Sequence, residues 1–261
     1  MNKQTLKQLL DEKYHQFNDS SFIAPDPISV PHRFSKKQDI EISGLFAALL
    51  AWGNRTTIIN SANRLMALME NSPHEFIKHH REKDRQRFEK WVHRTFQYPD
   101  LLYFLEFLQH HYSQHESMET AFSSGLKPGD THVENALIHF HRYFFSLSHL
   151  PRTEKHLQTP LRKSACKRIN LFLRWMVRHD ANGVDFGLWK SIDPSQLICP
   201  LDVHVHRTAM QLKLISRKQA DWLTALELTE SLRGFDSKDP VKYDFALFGL
   251  GMEQGGKKLI K

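Results

Sequence analysis

Cysteine is scarce in this chain of 261 residues, which contains only Cys166 and Cys199. Two cysteines argue against a disulfide framework and exclude a four-cysteine zinc or iron–sulfur site within the chain. No apolar run approaches the roughly 20 residues of a membrane-spanning helix. Residues 1–16 are polar and lack the apolar core of a signal peptide. These absences predict a cytoplasmic protein without membrane contact.

Acidic residues are few in the segment 152–178, where positive charge accumulates. The formal net charge is +7 and the isoelectric point is about 9.3. Such a balance points to an anionic partner, nucleic acid above all, although many basic proteins bind no nucleic acid. The cations of this segment are Arg152, Lys155, Arg162, Lys163, Lys167, Arg168, Arg174 and Arg178.

Alternating strand patterns are rare, and helical periodicity dominates. Two apolar helices are predicted within 39–69, separated by a polar turn at 53–56, and a connection with three prolines precedes them at 20–38. The pattern predicts an all-α fold, either one unit or two helical lobes with a cleft between them. The approximate lobes are 39–160 and 1–38 plus 161–261. Further helices are predicted at 74–90, 100–113, 132–146, 164–179, 203–214, 217–232 and 240–250, and Gly249 and Gly251 are predicted to end the last of them.

The run 197–207 reads Leu-Ile-Cys-Pro-Leu-Asp-Val-His-Val-His-Arg and places Pro200 and Asp202 at the start of a predicted helix. Aspartate is a favoured helix cap, which is one interpretation. A carboxylate is also favoured by the dipole at a helix N-terminus, and there it can stabilise a cation formed in a reaction. Both roles are compatible with the sequence.

Lys167 begins another predicted helix, beside an apolar stripe. A neutral lysine amine is a nucleophile, and burial or nearby cations favour the neutral form; Arg168 and Lys163 are such cations. The alternative is an ordinary solvated lysine, and Lys163 is the second candidate for the nucleophile.

At these residues the chain resembles the helix-hairpin-helix DNA glycosylase superfamily. Residues 200–207 resemble its apolar-apolar-Asp-x-His-Val-x-Arg signature. Residues 39–69, which contain the apolar run 42–52 followed by a short polar turn, resemble the first core helices of endonuclease III-type enzymes. Residues 167–175 resemble the helix that begins with the catalytic lysine. The spacing of Lys167 and Asp202 is similar to that of the archaeal 8-oxoguanine glycosylase branch. Patterns at 173–178 and 243–251 are similar to an uncharacterised bacterial family.

The resemblance implies a two-lobed helical base-excision repair enzyme that acts on damaged duplex DNA near the nucleoid. It would excise a base such as 8-oxoguanine through a lysine Schiff base, with possible AP-lyase cleavage. Lys167 would attack the sugar C1′ and Asp202 would assist. No cofactor, no metal and no obligatory protein partner are implied.

The resemblance also suggests residues that would contact the substrate. The superfamily hairpin carries Gly-x-Gly before the lysine, whereas 161–166 contain no glycine, so side chains and helix-start amides would take over the phosphate contact. The predicted DNA-binding residues are Asn54, Arg55, Arg162, Lys163, Ser164, Arg168, Arg174, His204 and Arg207. The predicted base pocket contains Trp52, Trp175, Asp244 and Phe248, for which core packing is the alternative.

Two other functions are compatible with the sequence. A helical metal-dependent phosphohydrolase would use His179 and Asp180, or the residues around Asp202, but His204 and His206 would point to different sides of a helix. The histidine pairs at 79–80 and 110–111 are predicted to be solvated. A non-catalytic DNA-binding or damage-sensing protein would keep the basic surface without needing Lys167.

Overall fold

Every regular element is helical in the computed structural model, which describes residues 2–253. The predicted all-α fold is confirmed. Within this range β pairing is limited to two isolated bridges, one of which joins Ser164 to Asp221. The α-helices are α1 Lys3–Phe17, α2 Lys37–Leu49, α3 Arg55–Leu68, α4 Pro73–His79, α5 Glu82–Arg85, α6 Tyr98–Gln114, α7 Glu119–Ser123, α8 Glu134–Phe144, α9 Lys167–Val177, α10 Val203–Gln211, α11 Trp222–Arg233 and α12 Tyr243–Glu253.

Polar side chains cap the starts of several helices. Asn54 accepts from the Thr57 amide at the start of α3, and Asp221 accepts from the Thr224 amide at the start of α11. A cap oxygen satisfies backbone donors that have no partner inside the helix. Short polar residues placed before apolar periodic segments therefore determine where these helices begin.

The described residues divide into two compact units. The first contains residues 2–22, 127–135 and 159–253, and the second contains 23–126 and 136–158. The lobes predicted from the sequence, 39–160 and 1–38 plus 161–261, differ from these units in their bounds. The proline-containing segment 23–38 thus groups with the second unit, and 127–135 groups with the first.

In the first unit, α12 is the central helix, and α1 and α10 pack against it. Its residues are almost all buried, as expected of a helix that is apolar on every side. The sequence suggested that Gly249 and Gly251 end this helix, but α12 continues to Glu253. Gly249 instead permits close packing, because a Cβ there would lie 2.0 Å from Cδ2 of Phe17.

In the second unit, α2 is buried from Ile40 to Leu49. It carries one fully buried carboxylate, Glu41, which accepts hydrogen bonds from the Tyr112 and Ser117 hydroxyls and from the Met118 amide. These three donors compensate the desolvation of the charge. The carboxylate thereby joins α2 to the end of α6 and the segment after it.

The predicted helix over 74–90 is wrong in its extent. The structure divides it into α4, α5 and a 3-10 turn at Gln86–Phe88. His80 ends α4 with an extended backbone, and its Nδ1 lies 2.9 Å from the Ile77 carbonyl oxygen. Local side-chain bonding of this kind competes with continuation of the helix.

No helix within residues 2–253 combines the length and the apolar character needed to cross a membrane.

Candidate functional site

The hairpin before α9 turns through two left-handed residues that are not glycine. Lys163 has φ of 58° and Cys166 has φ of 52°. This conformation costs an L-residue about 1–2 kcal/mol, so the surroundings must impose it. They do so through the bridge to Asp221, in which the Trp222 amide donates to the Lys163 carbonyl at 3.2 Å. The tertiary contact therefore supplies a turn for which the sequence provides no glycine.

Lys167 is the first residue of α9 and is half-buried. The first turn of this helix contains no acidic residue, and the preceding Cys166 offers no side-chain cap. The N-terminus of α9 is therefore a positive region in which Lys167 adds a further charge.

Asp202 is the N-cap residue of α10. Its Oδ1 accepts from the amides of His204 at 2.8 Å and Val205 at 2.9 Å. Its Oδ2 has no hydrogen bond to the part of the chain that the structure describes. The capping interpretation of Asp202 is confirmed, and capping leaves one carboxylate oxygen for other interactions.

Asp244, on α12, is the buried group to which both residues couple. It is 5% exposed, and one of its oxygens, Oδ2, accepts a hydrogen bond from Nη1 of Arg174. The pKa of Asp244 is raised to about 6. Burial is the main cause and the charge of Asp202 adds to it, whereas Arg174 and Lys167 act in the opposite direction. Lys167, Asp202 and Asp244 therefore belong to one electrostatic cluster inside the first unit.

Arg174 is 2% exposed and connects two carboxylates in the interior of the first unit. Besides Asp244, it holds Asp185, with Nε 3.3 Å from Oδ1. Arg174 is one of the residues predicted to bind DNA. The structure corrects this, because the guanidinium is enclosed and its charge is already balanced by buried aspartates.

A second buried arginine, Arg178, extends this network. Its Nη1 lies 3.0 Å from Asp185 and 2.7 Å from Asp180, and its Nε lies 2.9 Å from Asp239. Its Nη2 donates to the Tyr14 hydroxyl at 2.7 Å. Burial is the leading influence on the pKa of Asp180, but Arg178 and hydrogen bonds outweigh it and hold that pKa at about 2.

Cys199 adds a neutral thiol to the cluster. Its Sγ lies 3.9 Å from Oδ1 of Asp244, and its amide is held by the Thr229 hydroxyl at 3.0 Å. Complete burial, with a contribution from Asp244, raises the pKa of the Cys199 thiol well above its usual range. The thiol therefore stays protonated at neutral pH and is no nucleophile.

The residues predicted for a base pocket are not all accessible. Trp175 is 0% exposed and Asp244 is buried, so both belong to the interior of the first unit; the prediction for Trp175 is corrected, because core packing encloses its indole. Phe248 is half-buried and packs edge-on against Phe22. Trp52 lies in the second unit, where the Arg94 guanidinium sits 4.0 Å from its ring centroid.

Among the predicted DNA-binding residues, Arg162, Lys163 and Arg207 are exposed. The structure describes the others as follows: Asn54 caps α3, Arg55 begins it, and Ser164, Arg168 and His204 are half-buried. Burial lowers the pKa of Arg168 to about 10. The exposed arginines and lysine are thus the side chains best placed to contact a polyanion.

The histidines behave differently from the sequence prediction. His80 and His111 are buried rather than solvated, at 7% and 0% exposure. Burial lowers the pKa of His111 to about 4. Within residues 2–253, no group of three histidine, cysteine, aspartate or glutamate side chains is arranged to hold a metal ion. Asp180, considered as a metal ligand, is engaged by Arg178, Tyr14 and Asn18.

The sequence does not predict the pairing of Arg174 with Asp244 or the role of Asp185. One signal was available: Arg174 follows Leu173 and precedes Trp175 and Met176, so it lies within an apolar segment. A charged residue in such a segment is rarely buried without a partner. The identity of the partners, far away in sequence, had no comparable signal.

Fold and geometry define an all-helical protein whose first unit carries Lys167 and Asp202 at the starts of two helices and buries Asp244 beside Arg174. The chain belongs to the DUF2400 family, which is described as a protein of unknown function and whose model matches residues 26–253. Lys167, Asp202 and Asp244 all lie within the matched region. No curated protein and no solved structure matches the chain.

Proposed function

We propose that the protein is a DNA glycosylase, with AP-lyase activity, that removes a damaged base through a Schiff base on Lys167. The proposal depends mainly on one arrangement, in which Lys167 and Asp202 stand at the starts of two helices in the unit that also buries Asp244. An amine and a carboxylate that meet at one electrostatic cluster, each at a helix start, are suited to covalent amine chemistry. The two-lobed glycosylase-like architecture and a place at the cytoplasmic nucleoid belong to the same proposal.

The reaction begins with the neutral amine of Lys167. Its Nζ attacks the sugar C1′ of a flipped nucleotide, and the bond from C1′ to the base breaks with its electron pair on the base. The base leaves with a proton from the amine. The C1′–O4′ bond then opens, O4′ takes the second amine proton, and an imine forms between Nζ and C1′.

Asp202 stabilises the positive charge that develops on the sugar during this substitution. Its Oδ1 is engaged by two amides, which fixes the carboxylate plane. A carboxylate held in advance provides stabilisation without reorganisation during the reaction. Loss of the 3′-phosphate by β-elimination from the imine would then cleave the strand.

DNA would be held through exposed cations near the site. Lys163 lies in the turn that precedes α9, and Arg207 lies on α10, the helix that Asp202 caps. Both side chains are exposed. Phosphate neutralisation by such residues makes affinity depend steeply on salt, with a slope of about −0.9 per neutralised phosphate.

Borohydride trapping tests the covalent step. Purified protein is incubated with duplexes that contain 8-oxoguanine, other oxidised bases, uracil or an abasic site, and borohydride reduces any imine to a stable adduct. We expect an adduct from the wild-type chain and its loss in Lys167→Gln. The matched variant Lys163→Gln loses a phosphate contact but keeps the Lys167 amine, so it should still form the adduct at saturating protein concentration.

The opposite pattern, loss in Lys163→Gln alone, would move the nucleophile to Lys163. Absence of an adduct from the wild-type chain on every duplex, despite normal DNA affinity, would overturn the glycosylase proposal. That result would favour a non-catalytic DNA-binding protein.

A further inference from the structure

An arginine covers the face of a half-buried tryptophan in the second unit. The guanidinium carbon of Arg94 lies 4.0 Å from the ring centroid of Trp52. Trp52 is half-buried and Arg94 is exposed, so the pair lies at the surface of this unit. His93 packs edge-on against the indole, with 6.3 Å between the ring centroids. One face of the indole is therefore covered by a side chain that can move into solvent.

A strained two-residue turn presents this arginine. Arg94 and Thr95 connect His93 to Phe96, and the latter two residues exchange backbone hydrogen bonds of 3.0 and 2.9 Å. Arg94 has φ of 55°, at a position of a tight hairpin turn that favours glycine, asparagine or aspartate when φ is positive. A non-glycine residue held in this conformation points to a function for its side chain.

Close packing against Gly53 directs the arginine onto the ring. A Cβ on Gly53 would lie 2.0 Å from Nη1 of Arg94 and 3.2 Å from its Cζ. Gly53 also has φ of 103°, which a residue with a side chain rarely adopts. The backbone thus leaves room for a guanidinium beside Trp52 at a position where a side chain would exclude it.

The charge of Arg94 is not balanced by a neighbouring carboxylate. Within residues 2–253 its guanidinium forms no ion pair and no hydrogen bond. The two segments that carry the pair, 50–69 and 90–99, contain four cations and no acidic residue. Such a surface attracts a polyanion. The four cations are Arg55, Arg64, Lys90 and Arg94.

The contact between the guanidinium and the ring can be exchanged for a stronger one. A cation over an exposed ring contributes less than a nucleobase stacked on it, and stacking accepts every base because each has a π-face. A base on the Trp52 ring frees Arg94, which can then pair with a phosphate of the same strand. An acidic peptide would satisfy the charge but would supply no planar group for the ring. The combination therefore favours nucleic acid with unpaired bases.

We propose that Trp52 is a stacking site for an unpaired nucleobase of single-stranded nucleic acid, and that Arg94 is its lid, which leaves the ring and binds phosphate. The site lies within the second unit and involves neither Lys167 nor Asp202, so it goes beyond the reaction proposed above. It gives the second unit a binding function of its own.

Two labelled oligonucleotides of equal charge test the stacking. One is oligothymidylate, and the other has the same phosphates but a tetrahydrofuran abasic residue in place of each nucleoside. Fluorescence anisotropy gives the affinity of the full-length chain for each. We expect the wild-type chain to bind oligothymidylate about tenfold more tightly than the abasic strand, since only the former can stack.

Variants of Trp52 assign this preference to the ring. Trp52→Leu should lose the preference while keeping its affinity for the abasic strand, and Trp52→Phe should recover part of it because phenylalanine also stacks. A preference that is unchanged in Trp52→Leu would overturn the proposal. Equal affinity of the wild-type chain for the two strands would overturn it as well.

Tryptophan emission tests the same step without a variant, which covers the case in which Trp52→Leu does not fold. Trp52 is half-buried, whereas the other four tryptophans are at most 4% exposed. A base stacked on an indole quenches its emission. We expect oligothymidylate to quench the emission of the wild-type chain and the abasic strand to leave it nearly unchanged. Binding of oligothymidylate without quenching would refute stacking on Trp52.

Arg94→Gln tests the lid. It uncovers Trp52, so quenching of the emission by acrylamide should increase. The salt slope of oligothymidylate binding should fall by about 0.7, the value for one phosphate of a single strand. Arg94→Lys keeps the charge and should retain the wild-type slope. Arg142→Gln, at an exposed position of α8, is the matched control and should change neither quantity; equal effects of Arg94→Gln and Arg142→Gln would overturn the role of Arg94.

The two proposals fail separately. A borohydride adduct together with equal affinity for the two strands would leave the glycosylase proposal standing and overturn the stacking site. A preference for oligothymidylate that depends on Trp52, without an adduct on any duplex, would do the reverse. Tighter binding of polyglutamate than of oligothymidylate would identify an acidic protein as the partner and overturn the assignment to nucleic acid.

Discussion

Removing Arg174 should destabilise the protein by an amount that depends on pH. The variant Arg174→Met keeps the length of the side chain and its contact with the Phe245 ring, which now lies 4.3 Å from the guanidinium carbon. The substitution leaves Asp244 buried without the arginine that pairs with it. Asp185 loses Arg174 as a partner but keeps Arg178. Breaking a buried ion pair by removing one partner costs about 3–5 kcal/mol.

The pH dependence follows from Asp244. Burial has already raised its pKa to about 6, and loss of Arg174 would raise it further. A carboxylic acid whose pKa is higher in the folded than in the unfolded protein makes its full contribution to stability at pH values below its unfolded pKa. That contribution to the free energy of unfolding is lost as the pH rises through the folded pKa. Below pH 6 Asp244 is neutral in both proteins, so the deficit of the variant should grow as the pH rises above 6.

Urea unfolding followed by circular dichroism at about pH 5 and pH 8 measures this difference. We expect the free energy of unfolding of Arg174→Met to fall further below wild type at the higher pH, by about 1.4 kcal/mol for each unit by which the pKa of Asp244 rises. Arg64→Met, at an exposed position of α3, is the matched control and should change stability by less than about 0.5 kcal/mol. An equal deficit at both pH values would refute the assignment of the effect to Asp244.

Three further predictions address the cap, the salt dependence and the packing. Asp202→Asn keeps a good helix cap while removing the charge, so it should retain the wild-type melting temperature yet abolish base excision. Asp202→Ala should abolish excision and also lower the free energy of unfolding by about 1 kcal/mol. Equal excision by Asp202→Asn and wild type would limit Asp202 to capping. Arg207→Gln should weaken DNA binding and reduce the salt slope by about one phosphate, while the ion-paired Arg87 gives a control in Arg87→Gln; fluorescence anisotropy across salt concentrations compares the two. Gly249→Ala should lower the free energy of unfolding by about 1–3 kcal/mol because the new Cβ would meet the ring of Phe17. Phe17→Leu in the same chain should recover part of this loss. If the double variant instead loses the sum of the two single-variant losses, the result would argue against that contact.

The helices that could be predicted from the sequence are those with a clear apolar stripe or a polar cap. The helix that begins at Lys167 is an example, since its buried residues recur at helical spacing from Ile169 to Val177. The cap at Asp202 is another, because a short acidic residue before an apolar periodic segment has few other local roles. Such features depend on residues within one or two turns of each other.

Prediction was less successful where distant residues determine the outcome. Gly249 reads as a helix end, yet it lies inside α12 because Phe17, far away in sequence, occupies the space that a side chain would fill. Arg174 reads as a surface cation, yet Asp185 and Asp244 enclose it. In both cases the local pattern is compatible with two environments, and packing between elements selects one.

The amino-acid sequence by itself determined an all-helical protein, the presence of the apolar-faced helix α9 and the start of α10 at Asp202. These depend on periodicity and capping, which act within a few residues. Only the tertiary structure decided that a carboxylate from α12 would be buried beside Arg174 and would experience the charges of Lys167 and Asp202. Burial and Coulomb interactions depend on distance in space, and chain position alone does not specify that distance.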